Sequence, residues 1–118
     1  MDLYREHILE HWQNPQNFRE MKKADLVVDQ VNPLCGDEVT FYFKFEKGKI
    51  KDVSFVGDGC AISVASASIL SEFIKGKKVA VVGKMTGEDV FEILGGPVAP
   101  ARLKCAFLPL EAIRKLRV

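Results

Sequence analysis

The residues best suited to chemistry in this sequence are three cysteines, Cys35, Cys60 and Cys105, and one aspartate, Asp37. Asp37 comes two residues after Cys35, so both side chains can face the same point across Gly36. Three thiolates and one carboxylate form a complete tetrahedral ligand set for Zn²⁺ or for an iron–sulfur cluster. Soft thiolates favour zinc and iron–sulfur chemistry over magnesium or calcium. An oxygen ligand in place of a fourth thiolate weakens the hold on a cluster, which suits a protein that gives its cargo away.

The sequence around Cys60 predicts a reactive position. A predicted strand runs into Gly57 and Gly59, Cys60 stands at the exit, and a predicted helix over 61–75 follows. The glycines permit positive φ angles and leave room for another group to approach the backbone. At the start of a helix, free N–H groups and the positive end of the dipole favour a thiolate, which is nucleophilic and binds metals. The alternative is a buried cysteine that packs as a small hydrophobic side chain.

Two cations, Arg102 and Lys104, precede the third cysteine. Four anionic ligands around Zn²⁺ or around an oxidised [2Fe–2S] core leave a net negative charge, which these cations would offset. They would also lower the pKa of Cys105. The alternative is that both are solvent-facing charges at the entry to a helix.

A first helix is predicted over 3–13, and it ends because the residue before Pro15 avoids the helical region. Its apolar members, at partly helical spacing, are Leu3, Ile8, Leu9 and Trp12. His7 and His11 are four residues apart and could share a face, but no third metal ligand lies nearby in the sequence. A capped or solvent-facing helix face is therefore expected there, rather than a metal pair.

The composition is typical of a globular protein. The 118 residues fit one domain over 1–118, and 47% of them are apolar. Lys plus Arg number 17 and Asp plus Glu number 16, so the charge gives no reason to expect nucleic-acid or membrane binding. No apolar run has the length of a membrane span and the first residues do not form a signal peptide, so a cytoplasmic protein is expected. An odd number of cysteines without CxxC spacing argues against a disulfide framework, a zinc ribbon or a thioredoxin-type motif.

The order of the predicted strands and helices that position these residues indicates an α+β fold, because the strands come first and most helices come afterwards. The strands are predicted over 26–31, 38–45 and 50–56. The later helices are predicted over 61–75, 79–84, 87–94 and 105–117. The middle strand alternates apolar and polar residues, so one face of a small antiparallel sheet of about three strands is buried under helices. Hairpin geometry then places the segment from Cys35 to Asp37 on the same rim of the sheet as Cys60.

Three blocks of sequence resemble the signature blocks of one known family. They are residues 32–37 (Asn-Pro-Leu-Cys-Gly-Asp), residues 57–68 (beginning Gly-Asp-Gly-Cys-Ala-Ile-Ser) and residues 100–106 (Pro-Ala-Arg-Leu-Lys-Cys-Ala). In these blocks, and in residues 3–17, the chain resembles the IscU/SufU (NifU N-terminal-type) scaffold family. The resemblance implies a SufE/NifU-like α+β fold. It also implies assembly of a [2Fe–2S] cluster on Cys35, Cys60 and Cys105, with Asp37 assisting cluster binding or release and Cys105 accepting persulfide sulfur.

Two features separate the chain from the IscU branch of that family. The IscU branch has a histidine immediately before its last cysteine, and this chain has Lys104 there. The IscU branch also has a Leu-Pro-Pro-Val-Lys chaperone-recognition segment, and this chain has a different sequence over 96–101. Lys104 and the Gly-Cys-Ala-Ile-Ser block resemble the SufU branch, whose members hold zinc and accept sulfur from the desulfurase. SufU proteins also carry an extra segment between the second and third cysteines, which this chain lacks. The site residues are thus SufU-like in a chain of IscU length.

The resulting hypothesis is an iron–sulfur cluster assembly scaffold, a carrier and not a true enzyme. By the resemblance, it receives sulfur from a pyridoxal-phosphate cysteine desulfurase of the IscS or SufS type and passes the cluster to apo-proteins. A homodimer is compatible with this role, whereas nucleic acid and membranes are not expected partners. The first alternative is a SufU-like zinc-dependent sulfurtransferase in which Cys105 leaves zinc to become nucleophilic. The second is a small domain with structural zinc, which Asp37 disfavours because closed structural sites use cysteine and histidine.

Overall fold

The chain folds into a three-stranded antiparallel sheet with helices packed against it, in a computed structural model that describes residues 3–33 and 36–116. The strands are β1 (Leu26–Val31), β2 (Glu38–Glu46) and β3 (Lys49–Asp58). The helices are α1 (Leu3–Gln13), α2 (Ala61–Ile74), α3 (Val79–Val82), α4 (Gly87–Leu94) and α5 (Leu103–Ile113), with 3-10 turns at Pro100–Arg102 and Arg114–Leu116. The predicted α+β class is confirmed. Within the described ranges, no helix combines the length and the apolar character needed to cross a membrane.

The sheet forms as the alternation in β2 predicts. Its strands lie in the order β1-β2-β3, and Val39, Phe41 and Phe43 of β2 are buried beneath the helices while the residues between them are more exposed. The hairpin between β2 and β3 turns at Lys47 and Gly48, which have φ of 53° and 77°. Two successive positive φ angles are what a two-residue type I′ turn requires. The turn therefore sets the first pairs of the hairpin, and an irregularity between Lys44 and Phe45 shifts the register by one residue beyond them.

Helix α2 lies close to the sheet and to α5. Ala65, Ser66 and Ala67 are fully buried, and their small side chains let the helix approach its neighbours, as the sequence predicts. The helix ends at Ile74, one residue before the predicted end, and Gly76 follows with φ of 86°. A glycine in this left-handed conformation stops the helix and turns the chain away.

Helix α1 has the predicted bounds but not the predicted buried face. Ile8 is buried, but the other three predicted apolar members are exposed: Leu3, Leu9 and Trp12. The second buried residue of α1 is His11, whose Nδ1 atom lies 2.7 Å from the hydroxyl oxygen of Ser68 in α2. Its Nε2 atom lies 3.4 Å from a carboxylate oxygen of Glu72. The expected solvent-facing position is wrong for His11, because α2 offers polar partners to both ring nitrogens.

Helix α5 begins earlier than predicted and has a proline in its interior. In place of one helix over 105–117, a 3-10 turn leads into α5 at Leu103, and a second 3-10 turn begins at Arg114. Pro109 lies inside α5. Because proline has no N–H, it cannot donate the helical hydrogen bond to the carbonyl oxygen of Cys105, four residues before it. The hydroxyl of Ser63 in α2 lies 3.3 Å from that carbonyl oxygen and can donate to it.

Candidate metal centre

Three segments of the chain meet at one rim of the sheet. The register pairs Val31 of β1 with Glu38 of β2, and Glu38 with Asp58 of β3. The end of β1, the start of β2 and the end of β3 are therefore neighbours, as hairpin geometry predicts. In the connection between β1 and β2, the N–H of Asn32 donates to the carbonyl oxygen of Asp37 at 2.8 Å. This hydrogen bond fixes the backbone of Asp37 at the rim.

Asp37, Cys60 and Cys105 form a cluster of potential metal ligands at this rim, referred to below as the site. A carboxylate oxygen of Asp37 and the two sulfur atoms all lie within 4.8 Å of one another. Asp37 and Cys105 are buried, and Cys60 is half-buried. The fourth predicted ligand, Cys35, lies outside the described residues. The structure thus brings together three of the four ligands that the sequence predicts.

The donor set fits a thiophilic metal ion or an iron–sulfur cluster. Zn–S bonds of about 2.3 Å and Zn–O bonds of about 2.0 Å put adjacent donors of a tetrahedral site roughly 3.5–4 Å apart. Donors that already lie within 4.8 Å of one another need only small side-chain rotations to reach this spacing. Mg²⁺ and Ca²⁺ bind oxygen ligands, so two sulfur donors disfavour both ions.

Cys60 reaches the site from the start of α2. It is the N-cap residue of the helix, with an extended backbone (φ −71°, ψ 167°) and no side-chain capping hydrogen bond. Its sulfur atom lies 3.6 Å from the hydroxyl oxygen of Ser63. The side chain of Cys60 is therefore directed to the site rather than used as a helix cap.

The glycines before Cys60 act by their size and not by their φ angles. Neither Gly57 nor Gly59 adopts the positive φ that glycine permits, and β3 continues as paired strand to Asp58, beyond its predicted end at residue 56. The predicted close approach is present. A Cβ atom at Gly57 would lie 2.7 Å from the carbonyl oxygen of Glu38, and one at Gly59 would lie 2.9 Å from the carboxyl carbon of Asp37.

Ser63 is a member of this region that sequence reasoning missed. Its buried hydroxyl donates to Oδ2 of Asp37 at 2.7 Å. From the sequence alone, the serines of α2 are predicted only to be small residues that allow close packing. The available signal is that Ser63 lies three residues after Cys60, so both side chains come from the first turn of the same helix.

The thiol of Cys105 is difficult to ionise. Burial, followed by the neighbouring Cys60 and Asp37, raises the pKa of Cys105 to about 12. The prediction that Arg102 and Lys104 lower this pKa is wrong, because both cations are exposed while the sulfur is buried beside groups that carry or acquire negative charge. In the metal-free protein, Cys105 is therefore a neutral thiol at neutral pH.

The histidine pair does not join the site. The rings of His7 and His11 meet edge to face, with 4.8 Å between their centroids, and His11 is bound to α2. Among the residues that the structure describes, the only group of three potential metal ligands is Asp37, Cys60 and Cys105.

Comparisons with known sequences identify similar proteins over most of the chain. The family profile described as "NifU-like N terminal domain" matches residues 3–116. The iron–sulfur cluster assembly scaffold protein IscU 1 of Archaeoglobus fulgidus is 35% identical over 113 residues, which cover 96% of this chain and 73% of that protein. The zinc-dependent sulfurtransferase SufU of Bacillus subtilis is 35% identical over 130 residues, which cover 96% of this chain and 88% of that protein. Because 130 aligned positions exceed the 118 residues of this chain, the Bacillus protein has residues that this chain lacks.

The fold is also similar to that of a solved structure. The crystal structure of a candidate iron–sulfur cluster assembly scaffold protein for the SUF system, from Fervidobacterium islandicum, superposes with a TM-score of 0.78. The two proteins share 29% sequence identity, and the superposition covers 95% of each chain. Sequence and structure comparisons therefore lead to the same group of proteins.

Proposed function

Because this chain belongs to the NifU-like N-terminal domain family, we propose that it is an iron–sulfur cluster assembly scaffold, a carrier rather than an enzyme. The observation that carries the proposal is the close approach of the donor atoms of Asp37, Cys60 and Cys105. Cys35 would complete the ligand set. The cargo is a [2Fe–2S] cluster that these side chains hold until it passes to an apo-protein.

Cys105 is the proposed acceptor of sulfur from a pyridoxal-phosphate cysteine desulfurase. Its thiol first loses its proton to solvent. The thiolate then attacks the outer sulfur of the desulfurase persulfide, so that an S–S bond forms on Cys105 while the S–S bond on the desulfurase breaks. The electron pair of the broken bond leaves with the desulfurase thiolate. Because the pKa of Cys105 is raised to about 12, the acceptor is unreactive until something at the site favours its thiolate.

Asp37 is the proposed point at which release of the cargo begins. A carboxylate oxygen is a harder and weaker ligand for an iron–sulfur cluster than a thiolate. A cluster held by three cysteines and one aspartate therefore has one weak bond. The buried position of Asp37 beside two thiols supports this role.

A second candidate function is a zinc-dependent sulfurtransferase. The similarity to the Bacillus SufU protein supports it, as does Lys104 at the position where the IscU branch has histidine. In this case Zn²⁺ occupies the same residues and Cys105 leaves the metal to accept sulfur. A purely structural zinc site is disfavoured, because closed structural sites use cysteine and histidine ligands.

The experiment that separates these functions is an anaerobic reconstitution. The metal content of the purified protein is measured first, and the protein is then incubated with iron, cysteine and a desulfurase. Visible absorption typical of a [2Fe–2S] centre, followed by transfer to an apo-ferredoxin, is the expected result for a scaffold. Stoichiometric zinc that iron does not displace, with stimulation of desulfurase turnover that Cys105→Ser removes, would instead identify a sulfurtransferase.

Metal affinity should rise with pH. A metal binds the thiolate, so binding must release the proton of Cys105, whose pKa, raised to about 12, keeps most of the metal-free thiol protonated from pH 6 to 9. The Zn²⁺ affinity should increase at least about tenfold per pH unit from pH 6 to 9 without a plateau, because each released proton contributes one such factor. Competition with a chelator, corrected for the protonation of the chelator, measures this slope. A flat profile would contradict thiolate ligation.

A further inference from the structure

The hydroxyl of Ser63 contacts all three described members of the site. Its oxygen lies 2.7 Å from Oδ2 of Asp37, 3.3 Å from the carbonyl oxygen of Cys105 and 3.6 Å from the sulfur of Cys60. The residue is only 6% exposed, so water does not compete freely for these contacts. Ser63 thus joins the rim of the sheet, the start of α2 and the start of α5.

The single proton of Ser63 belongs mainly to Asp37. A hydroxyl has one hydrogen to donate, and neither a carboxylate nor a carbonyl oxygen can donate in return. The bond to Asp37 is short and charge-assisted, whereas the contact with the carbonyl of Cys105 is longer. The carbonyl can still accept from Ser63, because Pro109 donates no helical N–H to it.

Gly59 restricts the same carboxyl group by close packing. An added Cβ atom would lie 2.9 Å from Cγ and 3.1 Å from Oδ1 of Asp37, so the carboxyl occupies the space that a side chain at residue 59 would take. The backbone of Gly59 and the hydrogen bond from Ser63 together hold the Asp37 side chain in one position. Both contacts come from the segment that carries Cys60.

We propose that Ser63 is a positioning residue that holds the Asp37 carboxylate beside the thiols of Cys60 and Cys105, ready to bind a metal. This inference rests on the proposed function, because it assigns Ser63 a role at the same site. Groups that orient metal ligands typically contribute a factor of about 10 to 100 in metal affinity. Loss of the Ser63 hydroxyl removes one contact that holds the Asp37 carboxylate in place, so part of the metal-binding free energy is then spent on ordering that side chain.

The test uses Zn²⁺ and Co²⁺ alone with the full chain. Ser63→Ala should lower the Zn²⁺ affinity by about tenfold or more, and Co²⁺ should give a weaker tetrahedral ligand-field spectrum. Ser63→Thr retains the hydroxyl and should restore both. The matched control is Ser66→Ala, which removes another buried hydroxyl from α2. The Ser66 hydroxyl donates to the carbonyl oxygen of Ala106 at 2.7 Å and makes no hydrogen bond to Asp37, Cys60 or Cys105 in the described structure.

A double-mutant cycle with Asp37→Ala assigns the effect to Asp37. In the Asp37→Ala background, Ser63→Ala should leave the Zn²⁺ affinity unchanged within about twofold, because there is no carboxylate to position. An equal loss in both backgrounds, no loss in the single variant, or the same loss in Ser66→Ala would overturn the proposal. If the unsubstituted protein binds neither Zn²⁺ nor Co²⁺ stoichiometrically, the proposed function fails first, and the two failures are thus distinguishable.

Discussion

Replacing Cys60 by serine should abolish retention of a reconstituted [2Fe–2S] cluster. A serine hydroxyl is a poor ligand for iron in a sulfide cluster, and the remaining described donors are one buried thiol and one carboxylate. The Zn²⁺ affinity should fall by more than the roughly 100-fold that loss of an orienting group causes, because a direct ligand is removed. Anaerobic absorption spectra and chelator competition measure the two losses.

The same substitution should leave the fold intact. Cys60 is half-buried and makes no capping hydrogen bond, and serine is of nearly equal size and a better N-cap residue. A suitable control is Asp58→Asn, which removes an exposed charge two residues away and should retain the cluster. Normal clusters in the serine variants of Cys35, Cys60 and Cys105, each tested singly, would show that the site assignment is wrong.

Asp37→Ala should lengthen the life of a bound cluster. If release begins at the carboxylate, its removal eliminates the weakest bond and leaves only slower routes through thiolates. The half-time of transfer to an apo-ferredoxin should therefore increase severalfold, whereas the Zn²⁺ affinity of the variant should fall because a tetrahedral ion loses one donor. The transfer rate is measured by the loss of scaffold absorption after the acceptor is added.

The free energy of unfolding of Asp37→Ala distinguishes a role of Asp37 in cluster release from a role in a structural zinc site. When Asp37 is removed, the hydroxyl of Ser63 can turn to the carbonyl oxygen of Cys105, 3.3 Å away, so it is not left without an acceptor. The free energy of unfolding of the metal-free protein should then fall by about 1.5–3 kcal/mol at most, the net value of a hydrogen bond to a charged group. A shorter cluster lifetime together with a large loss of stability would contradict a role in release.

The sheet and its rim could be predicted because their determinants are local. The alternating residues of β2 define its buried face, and Lys47 with Gly48 forms a tight turn that pairs β2 with β3. Because the two strands form a hairpin, Asp37 before β2 and Cys60 after β3 are predicted to lie at the same rim of the sheet. Cys105 could be added only because its type matched theirs, since nothing in the local sequence shows where α5 packs.

The buried face of α1 could not be predicted because its determinants are distant in sequence. Hydrophobicity favours Leu9 and Trp12, but the helix buries His11, which finds Ser68 and Glu72 on α2. A histidine whose ring nitrogens have polar partners can be buried at low cost, whereas local periodicity assigns it to solvent. The error therefore arises from side chains that the pattern of α1 does not contain.

The contacts around Asp37 escaped prediction for a related reason. Whether the hydroxyl of Ser63 donates a hydrogen bond depends on which acceptors face it in the folded chain. One acceptor is the carbonyl oxygen of Cys105, to which Pro109 of α5 cannot donate. Pro109 itself would ordinarily predict a helix end. Arg102 and Lys104 show the opposite error, since their closeness in sequence to Cys105 does not lower the pKa of its buried thiol.

The wide separation of the site residues along the chain has a consequence for the folding of the protein. A cargo bound by Asp37, Cys60 and Cys105 cross-links three distant points and closes two long chain loops, a restriction that an unfolded chain would resist. Since only the folded chain presents all these donors together, a ligand at 100 times its dissociation constant would add about 2.7 kcal/mol to stability. If the chain carries the proposed cargo, loading raises the free energy of unfolding, and delivery of the cargo removes that contribution.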